Sequence, residues 1–161
     1  MRFALPIMML ALAACSSETS EEERLAAVAE VEATQTPAPE TLVLEPITYP
    51  DIEQNNLFGA GCSFAPDGGG VGAVAIAMAE EGYLKRNGEV LKFAADSGSR
   101  ELPYLARREY DGTAYSFTLD IDDASGAPSG MESSDYSGSL TVRDAYEAVV
   151  YEATGIVQCG A

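Results

Sequence analysis

The sequence predicts a mainly β protein, a small antiparallel β-sandwich or barrel of about seven or eight strands. Short runs of apolar residues alternating with polar ones recur between Ala73 and Val157. Turn signals punctuate them roughly every ten residues, the clearest being Asn87-Gly88 and Asp111-Gly112. Such a spacing of short strands within one stretch of about a hundred residues is that of a sandwich or barrel. A domain of that size buries a real but modest core, so a covalent staple is useful to it.

The chain begins with one positive charge, Arg2, an apolar run from Phe3 to Leu12, and two small residues before Cys15. That order is the plan of a secretory signal. The apolar run is about ten residues, against roughly 20 needed to span a bilayer, and Pro6 interrupts it. Leu12-Ala13-Ala14-Cys15 resembles the lipobox of bacterial lipoproteins. The resemblance implies a signal peptide over 1–14 and lipidation of Cys15 as the first mature residue. Ser16, where Asp would retain such a protein at the inner membrane, implies delivery to the outer membrane, facing the periplasm. A plain secretory signal cut before Cys15 is the alternative. Several acyl chains on one cysteine anchor stably where a single chain does not.

Residues 15–56 read as a lipid-anchored acidic linker. From Ser16 to Asn56 there are ten acidic residues and one Arg, with prolines at 37, 39, 46 and 50. Ser20-Glu21-Glu22-Glu23 matches a capping box and opens a candidate helix carrying Leu25, Val28 and Ala29. At about thirteen residues that helix is marginal alone. It reads as a transient helix in a spacer, a docking helix being the alternative. As a coil the linker reaches about 35 Å.

The β domain is expected over 57–161. Val74, Ile76 and Met78 alternate with Ala73, Ala75 and Ala77, although a helix over Ala75–Glu81 stays open. Tyr83 to Phe93 reads as a hairpin about Asn87-Gly88, and Glu109 to Tyr115 as a second about Asp111-Gly112. The outgoing strand of the second puts Tyr115, Phe117, Leu119 and Ile121 on one face. Leu140–Val142, Ala148–Tyr151 and Ile156–Val157 are further strand signals.

A formal charge of -17 removes the phosphate-binding patch that nucleic acid requires. It also repels anionic headgroups, so contact with the membrane falls to the lipid anchor. The acidity suits a basic protein partner. The chain has no His and no Trp, so the commonest general base and metal ligand is missing. With Cys15 assigned to lipid, Cys62 and Cys159 remain, and an oxidising periplasm favours their pairing. Two free buried thiols are the alternative. A bridge would tie the first and last strands of the domain.

No constellation for catalysis, cofactor binding or metal binding emerges. Asp120-Ile121-Asp122-Asp123-Ala124 is the densest acidic cluster, but the fifth position of a calcium loop falls on Ala124 and the twelfth on Met131. Gly68-Gly69-Gly70-Val71-Gly72 fits neither a Gly-Lys-Ser/Thr loop nor a Gly-x-Gly-x-x-Gly turn. A Ser-Lys dyad would need Lys85 or Lys92, both among charged neighbours on the first hairpin. The carboxylates of a glycosidase are present in number, without the Trp that stacks a sugar.

The order of an early Cys62, an x-Gly-x-x-Tyr turn at Gly112 and Tyr115, and a closing Cys159 is similar to the membrane-bound inhibitors of c-type lysozyme. That resemblance implies a small β-barrel lipoprotein. Asp111 stands where the family carries a Ser before the Gly, and its following aromatic and Lys are missing, so no inhibitory residue is carried over. The expectation is therefore a non-enzymatic, monomeric envelope lipoprotein with a structural or binding role. A lysozyme-inhibitor-like protein engaging a basic enzyme is the first alternative, and a carboxylate-dependent hydrolase the second.

Overall fold

The computed structural model describes residues 20–35, 40–70 and 72–161. The signal segment 1–14, Cys15, Ser16 and the Thr36-Pro37-Ala38-Pro39 stretch lie outside the described residues, as does Val71. Two compact units divide the chain between Pro37 and Ala38. In the first, helix α1 (Glu21–Gln35) starts at the capping box read in the sequence. Glu23 N–H donates to Ser20 Oγ at 3.2 Å, and Ser20 N–H donates to Glu23 Oε2 at 3.1 Å. Glu21, Glu22 and Glu23 fill the first turn, where negative charge meets the positive end of the helix dipole.

The second unit is built on nine strands: β1 (Gly61–Pro66), β2 (Ala75–Met78), β3 (Glu81–Arg86), β4 (Glu89–Ala95), β5 (Glu109–Asp111), β6 (Tyr115–Ile121), β7 (Ala127–Pro128), β8 (Ser133–Asp144) and β9 (Val149–Gly160). The order β6-β5-β4-β3-β2-β1-β9-β8 closes through β6–β8 pairing, and every pairing is antiparallel. The result is an eight-stranded barrel, with β7 added beside the start of β8. The stretch Ala75–Glu81 is not helix: Ala75–Met78 is β2, Ala79 and Glu80 bend, and Glu81 starts β3. From Val149 on, the apolar runs at Ala148–Tyr151 and Ile156–Val157 belong to one 12-residue strand, β9.

Both hairpins form. Asn87 and Gly88 take φ of 51° and 76°, the left-handed pair that matches the twist of the flanking strands. The second turn is one residue longer than Asp111-Gly112 suggested: Gly112 N–H donates to Tyr115 C=O at 2.9 Å, and Gly112 to Ala114 form the loop. On β6, Phe117, Leu119 and Ile121 point into the barrel as the alternation predicts. Phe117 stands opposite Val142 and Leu119 opposite Leu140. Phe117 also stacks on Tyr110 at 4.6 Å and meets Phe93 edge-on at 5.1 Å.

The compact unit begins well before the expected boundary at residue 57, and the linker expected over 15–56 ends correspondingly early. Leu42 is 4% exposed and Ile47 7%. Three backbone bonds dock this segment: Leu42 N–H to Val150 C=O, Glu45 N–H to Lys85 C=O and Ile47 N–H to Ala73 C=O, at 2.8, 2.8 and 2.7 Å. Helix α2 (Tyr49–Asn55) follows, with Pro50 in its first turn, where its missing N–H costs nothing. The physical reason lies on the barrel's outer wall. On β2 the alanines Ala75 and Ala77 point inward, so Ile76 and Met78 point out. With Tyr83 and Val90 they form an apolar face that Ile47, Ile52 and Leu57 cover as a second small core. Apolar residues spaced singly among acids and prolines carry no periodicity, so composition alone read them as linker.

The end of the barrel opposite the Asn87-Gly88 turn is closed by the 96–108 loop. Leu102 and Ala106 are buried under it, and Leu102 N–H donates to Ala106 C=O at 2.8 Å. Between them Tyr104 and Leu105 take φ of 56° and 65°, which costs roughly 1–2 kcal/mol per residue for a bulky side chain. The buried Tyr110 hydroxyl anchors the loop's exit, accepting from Arg107 N–H and donating to Met78 C=O, both at 2.7 Å.

Candidate functional site

Cys62 and Cys159 face each other in the β1–β9 register and are joined by a disulfide, 97 residues apart in sequence. The bridge ties the first strand of the barrel to the last, as the compartment argument expected. It is buried, with both sulfurs inside the core, and it serves the frame.

The other singled-out groups are drawn into separate pairs. Asp120 accepts from Arg108 Nε at 2.6 Å and Nη2 at 3.0 Å. Asp123 takes Arg100 at 2.5 Å, and Asp122 Oδ1 accepts from Ala124 N–H at 3.0 Å. Among the described residues these acids thus turn to three different partners. Lys85 holds Asp51 at 2.6 Å and Lys92 pairs with Glu81. The ionisations follow these pairs. Lys85, then Thr48, hold the Asp51 carboxyl down at about 2, and Lys92, then Tyr83, lower Glu81. Burial, then Glu81, pushes Tyr83 up to about 12, and burial pushes Tyr110 to about 12. Each shift has a cause within the frame.

A different feature stands out where the barrel wall is incomplete. Strand β5 has three residues and pairs with β4 only at Ala94 and Ala95. The first half of β4 therefore has β3 on one side and no strand on the other. A cleft of about 290 Å³ occupies the gap, between Glu89–Phe93 and the Gly112–Tyr115 turn. Leu91, Phe93 and Tyr115 supply its apolar wall. Gly112 brings the turn against the ring of Phe93; a Cβ there would lie 2.8 Å from Phe93 Cδ1. Arg86 lies over the Tyr115 ring at 5.6 Å and donates from Nη1 to its hydroxyl at 2.5 Å. Its carboxylate neighbour, Glu40, is 3.9 Å away and 89% exposed, a contact worth little.

The backbone at this gap has a definite polarity. A two-residue turn makes its flanking pair, Arg86 and Glu89, exchange hydrogen bonds, and bonded pairs then recur at every second position. Leu84/Leu91 and Gly82/Phe93 are the next such pairs. The amides and carbonyls of Val90 and Lys92 must then point away from β3, into the gap. The neighbouring bonds obey the same parity: Ala95 N–H turns to Glu80 C=O on the β3 side, and Asp96 N–H to Glu109 C=O on the β5 side. Among the described residues no hydrogen-bond partner faces Val90 or Lys92 on this edge.

Two further depressions, of about 290 and 360 Å³, lie on the outer surface of the barrel, one by Ser63 and Gln158, the other by Arg108 and Arg143. In both, the strands beneath are paired on either side. Of the residues singled out in the sequence, Gly112 and Tyr115 line the cleft, while Cys15 lies outside the described residues. Lys92, weighed in the sequence only for a Ser-Lys dyad, lines it too, whereas Arg86, Val90 and Leu91 were not singled out. The Asn87-Gly88 turn placed them on a hairpin, but nothing local says that β5 stops short of them.

No protein-family profile, curated protein or solved structure matches this chain.

Proposed function

We propose that the chain is a non-enzymatic envelope lipoprotein, held to the membrane through lipid on Cys15, whose barrel binds another protein at the cleft beside β4. The incompletely closed wall carries this reading. A barrel that serves only as a spacer gains nothing from unpaired backbone at its surface, whereas a binding domain does. The charge of -17 would steer a basic partner toward it. The periplasmic face of the outer membrane is the compartment that the lipobox resemblance implies. The test is capture from the native envelope by the lipidated protein, compared with a Leu91→Glu variant that charges the cleft wall. Equal capture of the same partner by both proteins would remove the cleft from the reading. Recovery of Cys15→Ala wholly in membranes would remove the anchor.

Inhibition of a c-type lysozyme is a second reading, favoured by one observation: Gly112 and Tyr115, which carry the resemblance to the inhibitors, both line this cleft. Undiminished lysozyme activity at micromolar soluble protein would dismiss it.

A further inference from the structure

We propose that the free edge of β4 is a strand acceptor: an extended peptide segment of a basic partner protein adds beside Val90 and Lys92 and completes the barrel wall. This rests on the binding reading above and names what enters the cleft. An amide and a carbonyl at each of Val90 and Lys92 face the side of β4 where the cleft separates it from the Gly112–Tyr115 turn. Backbone groups of this kind recruit another backbone, because each gains a hydrogen bond that a rigid neighbour cannot supply.

Alternation fixes the side-chain chemistry. Leu91 and Phe93 face the barrel interior, and Val90 and Lys92 face outward. An added strand would set every second side chain against Leu91, Phe93 and the ring of Tyr115, and these side chains are therefore apolar. Residues 57–161 carry 16 acids against 7 bases, an excess that favours basic residues on the flanks of that strand, beyond Arg86 and Lys92. A second copy of this chain fits less well. Its own β4 edge is recessed behind its own Gly112–Tyr115 turn, which keeps two such edges from meeting.

The experiment follows amide hydrogen exchange at Val90 and Lys92 in the protein carrying Cys15→Ser and no lipid. The probe is the peptide acetyl-Lys-Val-Leu-Val-Lys-amide, and the control is the same peptide N-methylated at alternate amides. Both protein amides are expected to exchange fast when free and at least tenfold more slowly with the unmethylated peptide, and the control should leave them unchanged. Two variants separate backbone from side chain. Lys92→Ala keeps the amide and should bind the peptide as before. Lys92→Pro removes an amide that β3 does not use, so it should keep the cooperative melt and bind at least tenfold more weakly.

The proposal is overturned if Val90 and Lys92 are already protected in the monomer, if the methylated peptide protects equally, or if Lys92→Pro binds like Lys92→Ala. Absence of protection at millimolar peptide overturns it as well. Protection without peptide, accompanied by dimerisation, assigns the edge to a second copy instead. Partner capture that is lost in Leu91→Glu but kept in Lys92→Pro refutes strand addition and leaves the binding reading standing. Capture untouched by both refutes the two together.

Discussion

Breaking the Cys62–Cys159 bridge should remove a large part of the stability of the barrel. The bridge closes a loop of 97 residues. In the chain-entropy treatment, a crosslink of that span restricts the unfolded chain by about 4.7 kcal/mol at 25 °C. Removing both sulfurs also empties space in a fully packed site, adding about 1 kcal/mol for each methyl-sized deletion. Measured losses for native disulfides are about 2–5 kcal/mol. The double variant Cys62→Ala/Cys159→Ala is therefore expected to lose about 4–5 kcal/mol, out of a total of about 5–15 kcal/mol for a domain. Alanine is the right replacement, since serine would bury a hydroxyl without a partner. The assay is urea unfolding of the protein without its signal and lipid, followed by far-ultraviolet circular dichroism. With a slope near 1–3 kcal/mol per molar urea, the midpoint should fall by about 2 M. The slope should also rise, because an uncrosslinked unfolded chain exposes more surface. A loss below about 1 kcal/mol with an unchanged slope would refute the reasoning, since the unfolded chain would then owe nothing to the crosslink.

Tyr110→Phe strips the partner from Arg107 N–H and Met78 C=O at a buried site, and thermal melting should show a loss of about 2–4 kcal/mol. Tyr83→Phe, which gives up only a bond to the half-exposed Glu81, should cost less in the same measurement. Gly82→Ala would place a Cβ 2.6 Å from both Phe117 Cζ and Tyr110 Cδ1, two rings that are stacked and cannot yield, so its urea midpoint should report about 1–3 kcal/mol of overpacking. Asp51 ionises near 2 in the fold against an ordinary 3.8, so its contribution is complete above pH 4 and is lost as pH falls through 4 toward 2. Melting temperatures of Asp51→Asn should be flatter than the parent's across that window. At the alkaline end Tyr83 and Tyr110 ionise near 12 against 10.0, so the stability they lend is complete below pH 10 and is lost between 10 and 12. A near-ultraviolet titration should show Tyr83 and Tyr110 ionising late, with Tyr151 also held above its ordinary value by burial, and Tyr110→Phe should remove one of the late groups.

The parts of this fold that were legible in the sequence are those fixed by local chemistry. Asn87-Gly88 names its own turn because both residues tolerate positive φ. The alternation from Tyr115 to Ile121 names its own buried face because the strand period is two. Ser20 and Glu23 name a helix start because each satisfies the other's amide. What escaped is set between distant segments. Ile47, Ile52 and Leu57 become a cover only once Ile76, Met78, Tyr83 and Val90 have been turned outward by the closure of the barrel. The cleft is more remote still, because it depends on the difference in length between β4 and β5. No residue of β4 encodes the absence of its neighbour. Gly112 and Tyr115 were noticed through a resemblance and turned out to line the gap, while the opposite side of it gave no local signal.

The disulfide has a mechanical consequence. A pull on the chain ahead of Leu42 would open the docking bonds of that segment one at a time, releasing about 70 Å of chain before Cys62 is reached. There the peeling meets a closed covalent ring, running from Cys62 through all the intervening strands to Cys159 and back across the sulfurs. Force applied between the N-terminal end and anything gripping β4 is then divided between two backbone arms of that ring. Neither arm can be drawn out without the other, so the barrel resists traction as a loop of cord does, rather than as a single thread.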